Sequence, residues 1–103
     1  MSRIIDVICH NNNADDVVQS AKTLVEEHLV VVSYVIPVKL ITNDGAQVYE
    51  GNTTMLILKS KDVVFKEKLL PRLRSLNCQS SLVLPIVDVV PDYRGWVEKE
   101  VIE

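Results

Sequence analysis

The sequence predicts a single α+β domain, with the element order β-α-β-β-α-β and one further helix at the end. Three observations predict it. Four runs rich in Val, Ile, Tyr and Thr (Ile4–Cys9, Leu29–Thr42, Ala46–Ser60 and Ser80–Val90) have strand composition. Two stretches between them, 14–28 and 61–76, place apolar residues at helical spacing. Between the two longest extended runs stands Asn43-Asp44-Gly45, a strong turn signal, so those two runs form a hairpin. At 103 residues and 48% hydrophobic content, residues 1–103 make one domain with ample core material.

Each element has its own justification. Ile4–Cys9 is a short β-branched run bounded by the polar stretch His10-Asn11-Asn12-Asn13. Asn12 or Asn13 is placed to cap the first helix, and Asp15 and Asp16 suit the positive end of its dipole. Ala14, Val17, Val18, Ala21, Leu24, Val25 and His28 then form the inner face. Within Leu29–Thr42, Pro37 cannot donate to a sheet ladder and marks an edge strand or a bulge. Gly51 in the return strand suggests a second bulge or a close approach of the backbone. Ser60 is placed to cap the second helix, whose inward stripe is Phe65, Leu69, Leu73 and Leu76. Pro71 lies inside that helix and predicts a kink or break near Leu70. Ser80–Val90 is the last strand, and Pro91 opens a short helix on which Tyr93, Trp96, Val97 and Glu100 share a face. Two βαβ halves joined by a hairpin describe the ferredoxin-like motif.

The hairpin is the unusual part. Its arms are more than twice as long as the ~5–6 residues of an ordinary strand. A domain of this size cannot cover them with its own helices, and uncovered strand edges are normally paired with another chain. Self-association through the hairpin follows as an expectation.

Composition excludes several classes. Fourteen acidic and 11 basic residues give a net charge of −3, and Lys66, Lys68, Arg72 and Arg74 read as a solvated helix face, so no nucleic-acid surface is expected. No apolar run reaches the ~20 residues of a membrane span. Met1–Val7 has one Arg and then Asp6 inside the apolar stretch, which is not a signal-peptide pattern, so a cytoplasmic location is expected. Two cysteines far apart in sequence, with no C-x-x-C pair, read as free thiols.

Candidate chemistry is sparse. Cys9 and His10 end the first strand, and thiolate and imidazole suit copper or zinc, yet strand neighbours point to opposite faces. Cys78, beside Asn77 and Gln79 in a loop, reads either as an exposed soft ligand or simply as a tolerated thiol. Cys78, His10 and Cys9 are therefore the candidate metal ligands, for copper or another divalent cation, against a simpler role as packed thiols and a loop histidine. His28 reads as a packing or capping residue at the end of the first helix. Trp96 and Tyr93 either pack the last helix or anchor an interface. Asp44, Glu50, Asp88 and Asp92 are not paired for acid–base work, and none of the three glycines precedes a helix as a phosphate loop would require, so no enzyme is expected.

The chain as a whole resembles the CutA family of divalent-cation tolerance proteins. The matching residues are Ala14 with the helix segment 21–29 and the strand after it, Met55-Leu56-Ile57-Leu58-Lys59-Ser60, Leu84-Pro85-Ile86, and Pro91-Asp92-Tyr93 with Trp96. The resemblance implies a ferredoxin-like domain assembled as a homotrimer through the long hairpin and the Tyr93–Trp96 region, linked to tolerance of divalent metals and to copper binding. The sequence departs from the family at three places. Val30-Val31-Val32 stands where members carry Ala-Ala-Cys, and 42–46 replaces a Tyr-x-Trp-x-Gly segment. Residues 76–81 replace, in a shorter segment, the His-Pro-Tyr-Glu-x-Pro-Glu run that carries the residues usually suspected of binding copper. The expectation is thus a CutA-like trimer with weak or no metal binding. The alternatives are a PII-like small-molecule-binding trimer, for which the 42–46 turn is short, and a protein-interaction scaffold.

Overall fold

A computed structural model describes residues 3–11, 13–43 and 45–102 of the chain. Strand β1 (Ile4–Asn11) leads into helix α1 (Ala14–Glu26). The hairpin β2 (Val32–Asn43) and β3 (Val48–Lys61) follows. A helical passage of three parts comes next: α2 (Asp62–Val64), a π-helical segment (Phe65–Leu69) and α3 (Leu70–Ser75). Strand β4 (Gln79–Pro85) and helix α4 (Pro91–Glu100) complete the chain. The four strands form one antiparallel sheet in the order β2-β3-β1-β4. This is the α+β arrangement expected, with the hairpin as a 12-residue and a 14-residue arm.

Local chemistry explains most boundaries. Asn13 Oδ1 caps α1, accepting from the amides of Asp15 at 3.1 Å and Asp16 at 3.2 Å; the other expected cap, Asn12, lies outside the described residues. At the hairpin tip Gly45 adopts φ +97°, and its amide donates to Asn43 Oδ1 at 2.8 Å, an Asx turn. Asp44 of that turn lies outside the described residues.

Both longer helical passages end the same way. After α1, His28 takes φ +60°, its amide donates to Val25 O at 3.0 Å, and the Leu29 amide donates to Leu24 O at 3.1 Å. After α3, Asn77 takes φ +59°, with Asn77 N to Arg74 O at 3.2 Å and Cys78 N to Leu73 O at 3.0 Å. These are two Schellman motifs, each sealed by an apolar pair (Leu24 with Leu29, Leu73 with Cys78) in the same core.

The ladder between β2 and β3 runs unbroken from Val32↔Lys59 to Asn43↔Val48. Pro37 therefore makes no bulge; β2 is an edge strand, where half the amides have no sheet partner and a missing N–H is tolerated. Gly51 also sits in register, opposite Leu40. A Cβ at residue 51 would come within 2.9 Å of the Tyr49 ring, the far end of an exposed side chain that would have to swing aside. The register shift occurs instead between Ile8 and His10, in the pairing of β1 with β4.

Three further expectations need correction. Ser60 caps no helix: it is the penultimate residue of β3, and its buried hydroxyl donates to Leu29 O at 2.6 Å. Pro71 produces a π-helical turn in place of a break: the Leu70 amide reaches back to Phe65 O, so the chain widens before the proline, which then opens α3. The last strand ends at Pro85; beyond it the Ile86 amide still donates to Ile4 O at 3.0 Å, and residues 87–90 continue outside the ladder.

The sheet carries a core on each face. Ile5, Val7 and Cys9 of β1 and Leu56 and Leu58 of β3 pack against Val17, Ala21 and Leu24 of α1 and against Leu69 and Leu73. On the other face Ile4, Val31, Val64, Val97 and Val101 form a smaller cluster under α4, bordered by Tyr93 and Ile86. Val18 and Val25, assigned to the inner stripe of α1, are largely exposed. With Ala21, Lys22, Glu26, Ser33 and Val35 they line an open groove of about 380 Å³ between α1 and β2.

Candidate metal centre at Cys9 and Cys78

The end of β1 and the start of β4 bring two of the three candidate ligands together. Cys9 faces inward on β1, in line with Ile5 and Val7, and is 1% exposed. The irregularity after Ile8 sets His10 opposite Gln79, which draws the entry of β4 across the end of β1. Asn11 Nδ2 fastens that entry by donating to Asn77 O at 3.2 Å. The Schellman turn then directs Cys78 into the core with Cys9, where it is 7% exposed, which rules out the reading of it as an exposed soft ligand.

The two thiols are free and share one buried cluster, where each acts on the other as a hydrogen-bonding neighbour. That bond and burial push the Cys9 thiol far above its ordinary range. The same bond holds the Cys78 thiol below its ordinary value, against the opposing effect of burial. The two thiols therefore titrate as a pair, and their interaction favours the state in which one proton is shared between them.

His10 does not join them. It alternates with Cys9 onto the opposite face of the sheet, in register with Met55, and its buried Nδ1 has no hydrogen-bond partner among the described residues. Among the described residues no group of three His, Cys, Asp or Glu side chains converges on a metal-sized space. The donor set is two sulfurs, fit for a soft ion in two-coordinate geometry and short of what a divalent ion requires. His28 is exposed; its Nδ1 lies 3.1 Å from Glu100 O, and the Ile102 amide donates to His28 O at 2.9 Å, so it ties the end of α1 to the end of α4.

The opposite face holds a polar group that sequence reasoning missed. Lys59 Nζ pairs with Asp6 Oδ1 at 2.6 Å, directly across β1 and β3. Tyr93 stands close to this pair, with its hydroxyl buried and unpartnered among the described residues and its pKa raised mainly by burial. Its ring meets Trp96 edge-on at 5.5 Å and 89°. The available signal was a carboxylate and an ammonium at outward positions of otherwise apolar strands.

No protein-family model matches the chain, and no curated protein does. Solved structures do. The divalent cation tolerance protein CutA1 of Thermus thermophilus superposes with a TM-score of 0.84 at 22% identity, covering 95% of this chain and 98% of its own. CutA1 of Oryza sativa gives 0.88 at 18% identity, with 98% and 95% coverage. CutA of Synechococcus elongatus gives 0.89 at 15% identity, with 99% and 93% coverage. Over nearly its whole length, the chain has the fold of the CutA divalent cation tolerance proteins.

Proposed function

We propose that the chain is a CutA protein of the cytoplasm that serves divalent metal tolerance, copper included, as a homotrimer with at most weak ion binding of its own. The observation that carries this reading is the end-to-end likeness to CutA structures, in which neither chain leaves a substantial part unmatched. Trimerisation is supported by apolar surface that the subunit leaves open. Tyr34, Val35 and Ile36 are exposed on edge strand β2, and Leu82, Val83 and Leu84 on edge strand β4. Two uncovered apolar edges on one subunit suit a head-to-tail contact, and such contacts close into rings. Weak ion binding is supported by a site of two buried thiols with no third donor among the described residues. The sparse cysteine usage, two residues with no C-x-x-C pair, also accords with a reducing compartment.

Three measurements test the proposal. Light scattering should give three times the chain mass of 11.6 kDa, and a monomer overturns the trimer. Calorimetric titration with Cu(II) and Zn(II) should show at most weak heats; micromolar binding lost in Cys78→Ser with His10→Ala overturns the weak-binding statement. A strain lacking the protein should become more sensitive to copper salts, and unchanged sensitivity overturns the tolerance role.

A further inference from the structure

We infer that Cys9 and Cys78 are a redox pair, which closes into a disulfide when the chain meets a small-molecule disulfide such as oxidised glutathione. The inference stands apart from the metal reading, because it needs only the two sulfurs and their surroundings. Four observations carry it. Both cysteines are reduced, and the chain has no others. Both side chains lie in one buried cluster, and the pairing of His10 with Gln79 and the Asn11–Asn77 bond bring their backbones together, so no element has to move far for them to bond. Their backbones are independently anchored: Cys9 by the β1–β3 ladder opposite Leu56, and Cys78 by its amide to Leu73 O at 3.0 Å. Their neighbours in the core are apolar, including Val7, Leu56, Leu69 and Leu73, and the Cys78 thiol has only a long contact of 4.0 Å to Leu76 O besides. Two sulfurs held this way behave at high effective concentration toward each other.

The exposures differ, and that sets the order of events. Cys78, 7% exposed against 1% for Cys9, is the sulfur that an incoming reagent reaches first. As thiolate it attacks one sulfur of the external disulfide, forms a mixed disulfide, and releases one reduced thiol. Cys9 then gives up its proton and attacks the Cys78 sulfur, forming the internal bond and expelling the second reduced thiol. In sum, two protein thiols lose two hydrogens, and one external disulfide becomes two thiols. The bond ties β1 to the turn that enters β4, and so locks an edge strand onto the centre of the sheet.

The experiment uses the full chain, reduced and then held in a chelator in glutathione buffers of graded oxidised-to-reduced ratio. Acid quenching, alkylation and intact-mass measurement report each species. The wild type should pass in one step from two alkylated sites to none, with the loss of two hydrogens and no change in chain number. Cys9→Ser should stop at a glutathione adduct on Cys78, while Cys78→Ser should react at least tenfold more slowly. Persistent mixed disulfide in the wild type, chain-to-chain bonds, or two alkylatable thiols at the oxidising end would each overturn the pair. Because the chelator removes metal, a failed copper titration leaves this result unaffected, and the converse holds too.

Discussion

The hydroxyl of Ser60 offers a quantitative test of how α1 is held to the sheet. Ser60 is fully buried on β3 opposite Ile5, and its Oγ donates at 2.6 Å to the carbonyl of Leu29, the residue that closes the Schellman turn of α1. Replacing it with alanine removes one oxygen and opens almost no cavity, so the packing term is small. What remains is a buried carbonyl deprived of its donor, and such groups cost about 1–3 kcal/mol. We expect Ser60→Ala to lose about 2 kcal/mol, which for a chain of 103 residues lowers the melting temperature by roughly 8–16 °C. Ser33→Ala is the control: that hydroxyl donates to Ala21 O at 3.3 Å from a part-buried position, so water can replace it and the loss should stay below about 0.5 kcal/mol. Urea titrations followed by far-ultraviolet circular dichroism, repeated at several protein concentrations, separate the subunit term from any assembly term. A Ser60→Ala variant within about 0.5 kcal/mol of wild type, or a Ser33→Ala variant as damaged as Ser60→Ala, would refute the reasoning.

Four other outcomes follow from the same geometry. Asn13→Ala removes both cap bonds of α1 and should lower stability by about 1 kcal/mol in the same urea assay, with Asn13→Ser restoring most of it. Ile36→Asp places a charge on the exposed edge of β2 and should shift light scattering toward the single-chain mass while the circular dichroism spectrum is retained. Glu27 is held below its ordinary value of 4.5 by the Arg72 guanidinium, which donates to both carboxylate oxygens at 2.8 and 2.9 Å. A carboxylate with a depressed folded-state pKa contributes stability above its unfolded pKa and loses it as pH falls through the lower folded value, so Glu27→Gln should flatten stability against pH below about 4.5, its small loss present at neutral pH and vanishing in acid, where the variant and wild type converge. Closing the Cys9–Cys78 ring removes the denatured-state freedom of a long loop, and the oxidised chain should gain about 4 kcal/mol over the reduced one in urea titration.

The fold was legible because its signals were local and periodic. β-branched runs, the Asn13 cap, the stretch 43–45 and Pro91 each act within a few residues, and their elements stand close to where the sequence put them. Errors arose where tertiary contacts decide. Ser60 looks like a cap from its neighbours, but the carbonyl it satisfies belongs to Leu29, a residue distant in sequence. Pro71 forbids a regular helix without specifying the remedy, and the remedy was a wider turn. Val18 and Val25 have helix-face spacing, yet the groove they line is open in the subunit. The candidate site was half legible: alternation along β1 correctly kept His10 from the side of Cys9. The meeting of Cys9 with Cys78 depends on the shift after Ile8, which has no sequence signature, and on the left-handed turn at Asn77, whose only trace is an asparagine at the end of a helical stretch.

The unbroken hairpin ladder has a kinetic consequence. From Lys39 to Asn43 and from Val48 to Asn52 each strand has only the other for support, and most of these side chains are exposed. Amide protons there are shielded by opening of the hairpin end alone, whereas those near Leu56 and Leu58 require the core to open. Exchange with deuterated solvent should therefore grade along the two arms, fast at the tip and slow at the base. Any chain that packs on the outer half would erase the gradient, so the tip amides act as a built-in recorder of whether the hairpin is covered.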